Sequence, residues 1–197
     1  AIENKVSKGE VLNALNESHE QILFLSSMIN DLATLSRAER TDKKLEIKTI
    51  KPDELLEEIA KDYQDQAKEK KLSFSISSAK DTKSIKSSEL YLREILQNFI
   101  TNSLKYTKQG SIIVHVRSNS NGDAVFSVAD SGIGLSKSDK RHIFDKFFRS
   151  EDYRTRESSG TGLGLYVTLK LANRLNASID VESELNKGST FTITVPS

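Results

Sequence analysis

Between about Lys8 and Arg40, Leu15, Ser18, Ile22, Leu25, Ile29 and Leu32 recur at alternating spacings of three and four. That is the a/d pattern of a coiled coil or helix bundle. Val11, Leu12, Leu23, Phe24 and Leu35 broaden the stripe. The pattern predicts one long helix that needs another helix to cover it. Nothing else in the chain supplies a matching partner, so a second copy or a further helix is expected to do so. From Lys44 to Ile50 the pattern alternates like a strand, and Pro52 starts a helix from Asp53 to about Lys68. Leu72, Phe74 and Ile76 alternate with serines as in a half-buried strand, and a short strand is expected at Ser84 to Lys86.

The stretch Leu92 to Tyr106 reads as a helix with two incompatible faces. Leu92, Ile95, Leu96, Phe99 and Ile100 recur at helical spacing and predict a core face. Glu94, Asn98 and Asn102 fall four apart, with Lys105 and Tyr106 a turn further on, which makes one polar stripe. Asparagine is a mediocre helix former because its amide competes for backbone hydrogen bonds, so two in register are informative. Ser88 is the expected N-cap and Gln109-Gly110 the expected end. Ser111 to Ser118 and Ala124 to Ala129 are strands flanking the turn Asn119-Ser120-Asn121-Gly122. A long connection from Asp130 to Gly160 follows, the length of a lid. Thr161 to Leu175 reads as a helix, and Ser178 to Glu182 and Ser189 to Val195 as strands. The expected class is α+β: a two-layer sandwich of a mixed sheet with helices on one face, preceded by the long helix.

The 197 residues suffice for one well-cored domain and an appendage. A formal net charge of +1 argues against a nucleic-acid partner, which would need a basic excess or stripe. There is no cysteine, hence no disulfide framework and no thiolate metal site. No apolar run reaches membrane-spanning length. The expected setting is cytoplasmic, within a longer parent protein that a membrane could anchor.

Asp130-Ser131-Gly132-Ile133-Gly134-Leu135 follows a strand. A carboxylate there can accept a hydrogen bond from an exocyclic amine such as that of adenine, and the glycines allow close approach of a flat ring. Gly160-Thr161-Gly162-Leu163-Gly164-Leu165 opens a helix whose exposed N–H groups suit phosphates. Each stretch alone is weak evidence, since such glycine patterns occur in many unrelated proteins.

Together and in this order they resemble the ATP-binding catalytic domain of sensor histidine kinases, within the ATPase group that includes the DNA gyrase, Hsp90 and MutL type. Glu94-xxx-Asn98-xxx-Asn102 with Lys105-Tyr106 is similar to the N box. Asp130 to Leu135 is similar to the G1 box, Ile143 to Arg149 to the F box, and Gly160 to Leu165 to the G2 box. Leu32 to Glu39 resembles the end of a second dimerisation helix, and Lys187 to Pro196 the closing strand. The resemblance implies residues 1–42 as that helix and 43–197 as the catalytic domain, with a lid at about 131–160. It also implies ATP and Mg²⁺, with Asn102 and Asn98 at the metal and Asn102 the better direct ligand. Glu94, Lys105 and Arg149 are the implied catalytic residues, Glu94 by orienting water or assisting proton removal. By the same resemblance Tyr106 would pack beside the nucleotide and Asp130 would read adenine. Gly132 and Gly134 would shape that pocket, while Gly160, Thr161, Gly162, Leu163 and Gly164 would cradle the phosphates. Arg149 would reach the γ-phosphate, with Arg154 a second candidate, and Phe144 and Phe147 would anchor the lid.

The family's acceptor motif is missing: His19-Glu20 mimics its start, but Gln21-Ile22-Leu23 does not continue it. His115 and His142 lack its context too. The implied function is transfer of the γ-phosphate to a histidine outside this chain. The implied partners are a response-regulator receiver domain and a dimerisation partner along residues 8–40. Three alternatives stay open: an ATP-hydrolysing clamp with Glu94 as base, an anti-sigma-factor-like serine kinase, and a noncatalytic binding scaffold.

Overall fold

The computed structural model describes residues 7–40, 45–80, 82–156 and 160–197. Helix α1 (Lys8–Glu39) leads into β1 (Lys48–Ile50), α2 (Pro52–Glu69), β2 (Ser73–Ser78), β3 (Ile85–Ser87) and α3 (Glu89–Tyr106). Then come β4 (Ser111–Ser118), β5 (Ala124–Asp130), the single-turn helices α4 (Asp139–His142) and α5 (Tyr153–Arg156), α6 (Gly164–Arg174), β6 (Ser178–Glu184) and β7 (Gly188–Val195). Five strands form one sheet in the order β2-β4-β5-β7-β6. Only β2 and β4 run parallel, so the sheet is mixed. It is an α+β fold with the long helix in front.

Alternation along the strands puts the core on one face of the sheet. In β4, Ile112, Val114 and Val116 are fully buried, whereas Ile113 between them is 45% exposed. In β7, Phe191, Ile193 and Val195 are buried and the intervening threonines only partly so. Helices α2, α3 and α6 cover that face. The predicted apolar face of α3 is its centre: Leu92, Ile95, Leu96, Phe99 and Ile100 are fully buried. The Phe99 ring lies 5.2 Å from that of Phe191 across the two layers, within the range of favourable tilted aromatic pairs.

Several boundaries differ from the sequence reading. The strand expected over Lys44 to Ile50 is only three residues long, because its partner β3 is equally short and pairs no further than Ile50 with Ile85 and Lys48 with Ser87. Lys44 itself lies outside the described residues. Helix α3 ends at Tyr106, not at Gln109-Gly110. Thr107 turns extended, and the Tyr106 carbonyl accepts the Ile133 N–H at 3.2 Å instead of continuing the helix. Ser88 holds the N-cap position without a side-chain capping bond. Helix α6 starts at Gly164, three residues later than expected, which leaves Gly160 to Leu163 as a loop.

The stripe on α1 is treated unequally along its length. Leu15, Ile22 and Ile29 are 62–65% exposed, while Thr34, Leu35 and Ala38 are buried. The last turns of α1 pack on α6, so the chain itself supplies a partner for that end. The rest of the stripe is uncovered. No described helix is long and apolar enough to cross a membrane.

Candidate functional site

The polar stripe of α3 is shared between two cavities. Asn98, Asn102, Lys105 and Tyr106 wall a cavity of about 340 Å³, at the lower end of the size of small-molecule sites. The Asn102 amide N–H donates to Asn98 Oδ1 at 2.9 Å. That leaves the Asn102 carbonyl oxygen as the stripe's amide acceptor outside this bond. Glu94, one turn earlier, lines a second cavity of about 220 Å³ enclosed by α1, α3 and α6, and not the first. Glu94 thus shares a cavity with Asn98 and Gly164 but not with Asn102, Lys105, Asp130 or Arg149. Asn98 and Gly164 border both cavities.

Across the first cavity, Asp130 stands at the end of β5. The Gly132 N–H donates to its Oδ1 at 2.9 Å and the Ser103 hydroxyl to its Oδ2 at 3.3 Å. Burial pushes the Asp130 carboxyl above the usual carboxylate range, against the pull of these bonds and of the Ser189 backbone. Ser103 is a site residue that sequence reasoning missed. It faces Asp130 only because α3 crosses the end of a strand 27 residues further on. Gly132 and Gly134 shape this end. A Cβ at Gly132 would meet the Tyr106 carbonyl oxygen at 2.5 Å, and one at Gly134, which sits at φ +64°, would overlap the Glu184 carbonyl. Gly134 borders the cavity, whereas Gly132 stands behind it.

The opposite end is cationic. Lys105 lies with its Nζ 5.0 Å from the centre of the Tyr106 ring. A Cβ at Gly160 would come within 2.6 Å of that Nζ. Burial first, and the Arg149 charge second, lower the Lys105 pKa to about 8. Arg149 stands at the exposed rim and donates to the Thr155 carbonyl at 3.3 Å. Burial also raises the Tyr106 phenol, with Arg149 acting the other way. Gly160, Thr161, Gly162 and Gly164 complete this wall. Leu163 does not: it is a core residue, 1% exposed, whose N–H donates to Thr161 Oγ1 at 3.1 Å. Arg154 is likewise turned aside, pairing with Asp152 and donating to Asn186 Oδ1 at 2.7 Å.

The lid differs from expectation at one aromatic. Phe144 packs on the core, but Phe147 is 61% exposed with φ +61°. Phe148, which lines the cavity and packs on the core, takes the anchoring position in its stead. The reason is local: the left-handed turn at Phe147 rotates its side chain outward, and Gly162 at φ +70° abuts the Phe147 backbone, where a Cβ would sit 2.7 Å from its carbonyl carbon.

A second contribution invisible in the sequence comes from α1. Ser27 and Asp31 line the cavity, and the Thr161 hydroxyl donates to Asp31 Oδ2 at 2.6 Å across 130 residues. Burial raises the Asp31 carboxyl, and the Thr161 bond opposes the rise.

The cavity is thus polarised. One end offers a fixed carboxylate acceptor beside close-packed backbone, a match for a donor on a flat ring. The other offers two cations, a glycine loop and amide groups, a match for phosphates. No group of three or more His, Asp or Glu among the described residues is placed to hold a metal ion. A metal here would rest on the asparagine amides and on the ligand's own oxygens. Neutral hard oxygens in small number fit Mg²⁺, which keeps most positions for phosphate and water.

The family described as histidine kinase-, DNA gyrase B- and HSP90-like ATPase matches residues 87–197. The aerobic respiration control sensor protein ArcB of Escherichia coli (strain K12) is 31% identical over 183 residues, covering 92% of this chain and 24% of ArcB. The circadian input-output histidine kinase CikA of Synechococcus elongatus is 31% identical over 191 residues, covering 95% of this chain and 25% of CikA. The chain spans about a quarter of the length of these curated relatives. Among solved structures, full-length ShkA in complex with AMPPNP aligns with TM-score 0.80 at 27% identity, over 98% of this chain and 40% of ShkA. The catalytic domain of histidine kinase ThkA aligns with TM-score 0.67 at 21% identity, over 77% of this chain and 96% of that domain. This chain belongs to the histidine kinase-, DNA gyrase B- and HSP90-like ATPase family, and the relatives it matches are sensor histidine kinases.

Proposed function

We propose that this chain is the catalytic part of a two-component sensor histidine kinase, binding Mg-ATP and transferring its γ-phosphate to a histidine other than the three it carries. The observation that carries this reading is the convergence of Asn98, Asn102, Lys105, Asp130, Arg149 and the Gly160–Gly164 loop on one polarised cavity. Residues 43–197 are the catalytic domain, with a lid at about 131–160. Residues 1–42 are assigned to a dimerisation region, whose second helix is α1 (Lys8–Glu39), with its exposed stripe along residues 8–40 facing a partner chain. The phosphate would pass on to a response-regulator receiver domain. The setting is cytoplasmic, with the parent protein open to membrane anchoring.

In this mechanism the chain's residues act by placement and charge. Asp130, oriented by Ser103 and Gly132, holds the adenine amine, and Tyr106 packs beside the base. Lys105 and Arg149 neutralise phosphate charge. The Gly160–Gly164 loop presents backbone N–H groups where a Cβ would block approach. Asn102, with Asn98 aligning it, would hold Mg²⁺, which when bound would supply charge neutralisation for the phosphates. Phe148 and Ile143 close the site against water from the lid side. Glu94 lines the second cavity beside Asn98, one helical turn from the nucleotide cavity.

Calorimetric titration with AMPPNP, with magnesium present and then chelated, tests the site. Binding should require magnesium and be lost in Asn102→Asp; equal affinity in the two chains would refute the metal assignment. Asp130→Asn should weaken ATP binding at least tenfold and erode discrimination against GTP; an unchanged ATP-to-GTP ratio would remove adenine reading from Asp130. Transfer is tested separately, by following acid-labile label from γ-labelled ATP onto an added acceptor helix. Tight binding without any transfer would favour the noncatalytic scaffold.

A further inference from the structure

Among the residues that wall the nucleotide cavity, Asp31 is out of character. It comes from α1, not from the sheet and its helices, and adds a carboxylate to a cavity that Asp130, Asp139 and Asp152 also line. Its carboxylate takes the hydroxyl of Thr161, in the middle of the glycine loop, at 2.6 Å. That loop also holds Gly160, packed close to Lys105 Nζ. Asp31 therefore meets the glycine loop at Thr161. Among the described residues it has no ion-pair partner; Arg37, which shares the second cavity with it, donates to Thr34 Oγ1 at 2.7 Å. The contact also belongs to the short region where α1 is buried at all, next to Thr34, Leu35 and Ala38 on α6.

We propose that Asp31 is a resident anion of the nucleotide site, competing with the terminal phosphate for the Thr161 hydroxyl, so that nucleotide binding and the docking of α1 on α6 oppose one another. The inference rests on the nucleotide reading above. A phosphate oxygen at the loop needs the donor that Asp31 holds, and it brings like charge against a carboxylate that burial already disfavours. Thermodynamic linkage makes the effect reciprocal: whatever holds α1 on α6 lowers nucleotide affinity, and nucleotide loosens α1 by the same factor. Asp31 thus reports the occupancy of the cavity to the helix that carries the exposed stripe.

Asp31→Asn keeps the shape and an oxygen that can accept from Thr161 but removes the charge. AMPPNP with magnesium should bind this variant about three- to tenfold tighter than the unaltered chain, the size expected for one like charge in a partly solvated site. AMP, which lacks the terminal phosphates, should gain far less. The chain has no cysteine, so Gln21→Cys on α1 and Ser178→Cys on β6 allow a spin-label distance to be measured cleanly. AMPPNP should lengthen or broaden that distance in the otherwise unaltered chain and leave it unchanged when Asp31 is Asn. Equal affinities, or a distance indifferent to nucleotide in both chains, would overturn the proposal. Weaker binding by Asp31→Asn would overturn it too, making Asp31 a ligand of the metal instead of a competitor. If neither chain binds AMPPNP, the nucleotide reading itself fails and this inference with it.

Discussion

If Lys105 pairs with phosphate as proposed, its protonation should set a pH window for nucleotide binding. Its ammonium is held to a pKa of about 8 by burial and by Arg149. Folding thus lowers this pKa, so the charged form costs stability below pH 8 and the cost disappears as the lysine titrates in the unfolded chain as well. Phosphate needs the charged form. With a pKa near 8, about 90% of Lys105 is charged at pH 7 and about 10% at pH 9. Affinity for Mg-AMPPNP should therefore fall towards tenfold over those two units, while a bound phosphate pulls the lysine pKa back up. Binding at pH 8 must then take up about half a proton per nucleotide. Calorimetry in two buffers of different ionisation enthalpy measures that uptake directly. Arg149→Ala should move the fall to higher pH, because one of the two causes of the lowered pKa is gone, while weakening binding below it. No proton uptake at pH 8, together with an affinity flat to pH 9, would refute the placement of Lys105 against phosphate.

Three further outcomes follow from the packing. Phe99→Ala should cost about 3–5 kcal/mol of stability, as a fully buried ring against Phe191 is removed from beneath Asn98 and Asn102; urea denaturation with a loss under 1 kcal/mol would contradict that core. Gly162→Ala should cost about 1–3 kcal/mol, since φ +70° disfavours a side chain and its Cβ would press on the Phe147 backbone, measurable as a lowered Tm. Ile22→Asp, on the 64% exposed part of α1, should leave the catalytic domain folded by circular dichroism. It should abolish any concentration-dependent self-association seen by sedimentation, and association that survives would move the partner surface off α1.

The apolar face of α3, the strands Ser111 to Ser118 and Ser189 to Val195, and the hairpin turn between β4 and β5 were all legible in the chain. Each is specified by a short run of neighbouring residues. Asn98, Asn102 and Lys105 were legible in the same way, because residues four apart on a helix share a side whatever that helix packs on. Glu94 marks the limit of that rule. It belongs to the stripe by spacing, yet α1 and α6 close over its turn of the helix and give it a different cavity. Ser88 shows a similar limit, holding its capping position without the capping bond.

The order of the elements, the one-sided sheet and the glycine loops are properties of the sequence by itself, since short-range periodicity and backbone freedom specify them without reference to distant residues. Tertiary structure alone decided that Ser103 supports Asp130, that Phe148 and not Phe147 turns inward, and that Asp31 meets Thr161 across 130 residues. Those contacts depend on how two elements cross in space, and no period along one segment encodes the position of another.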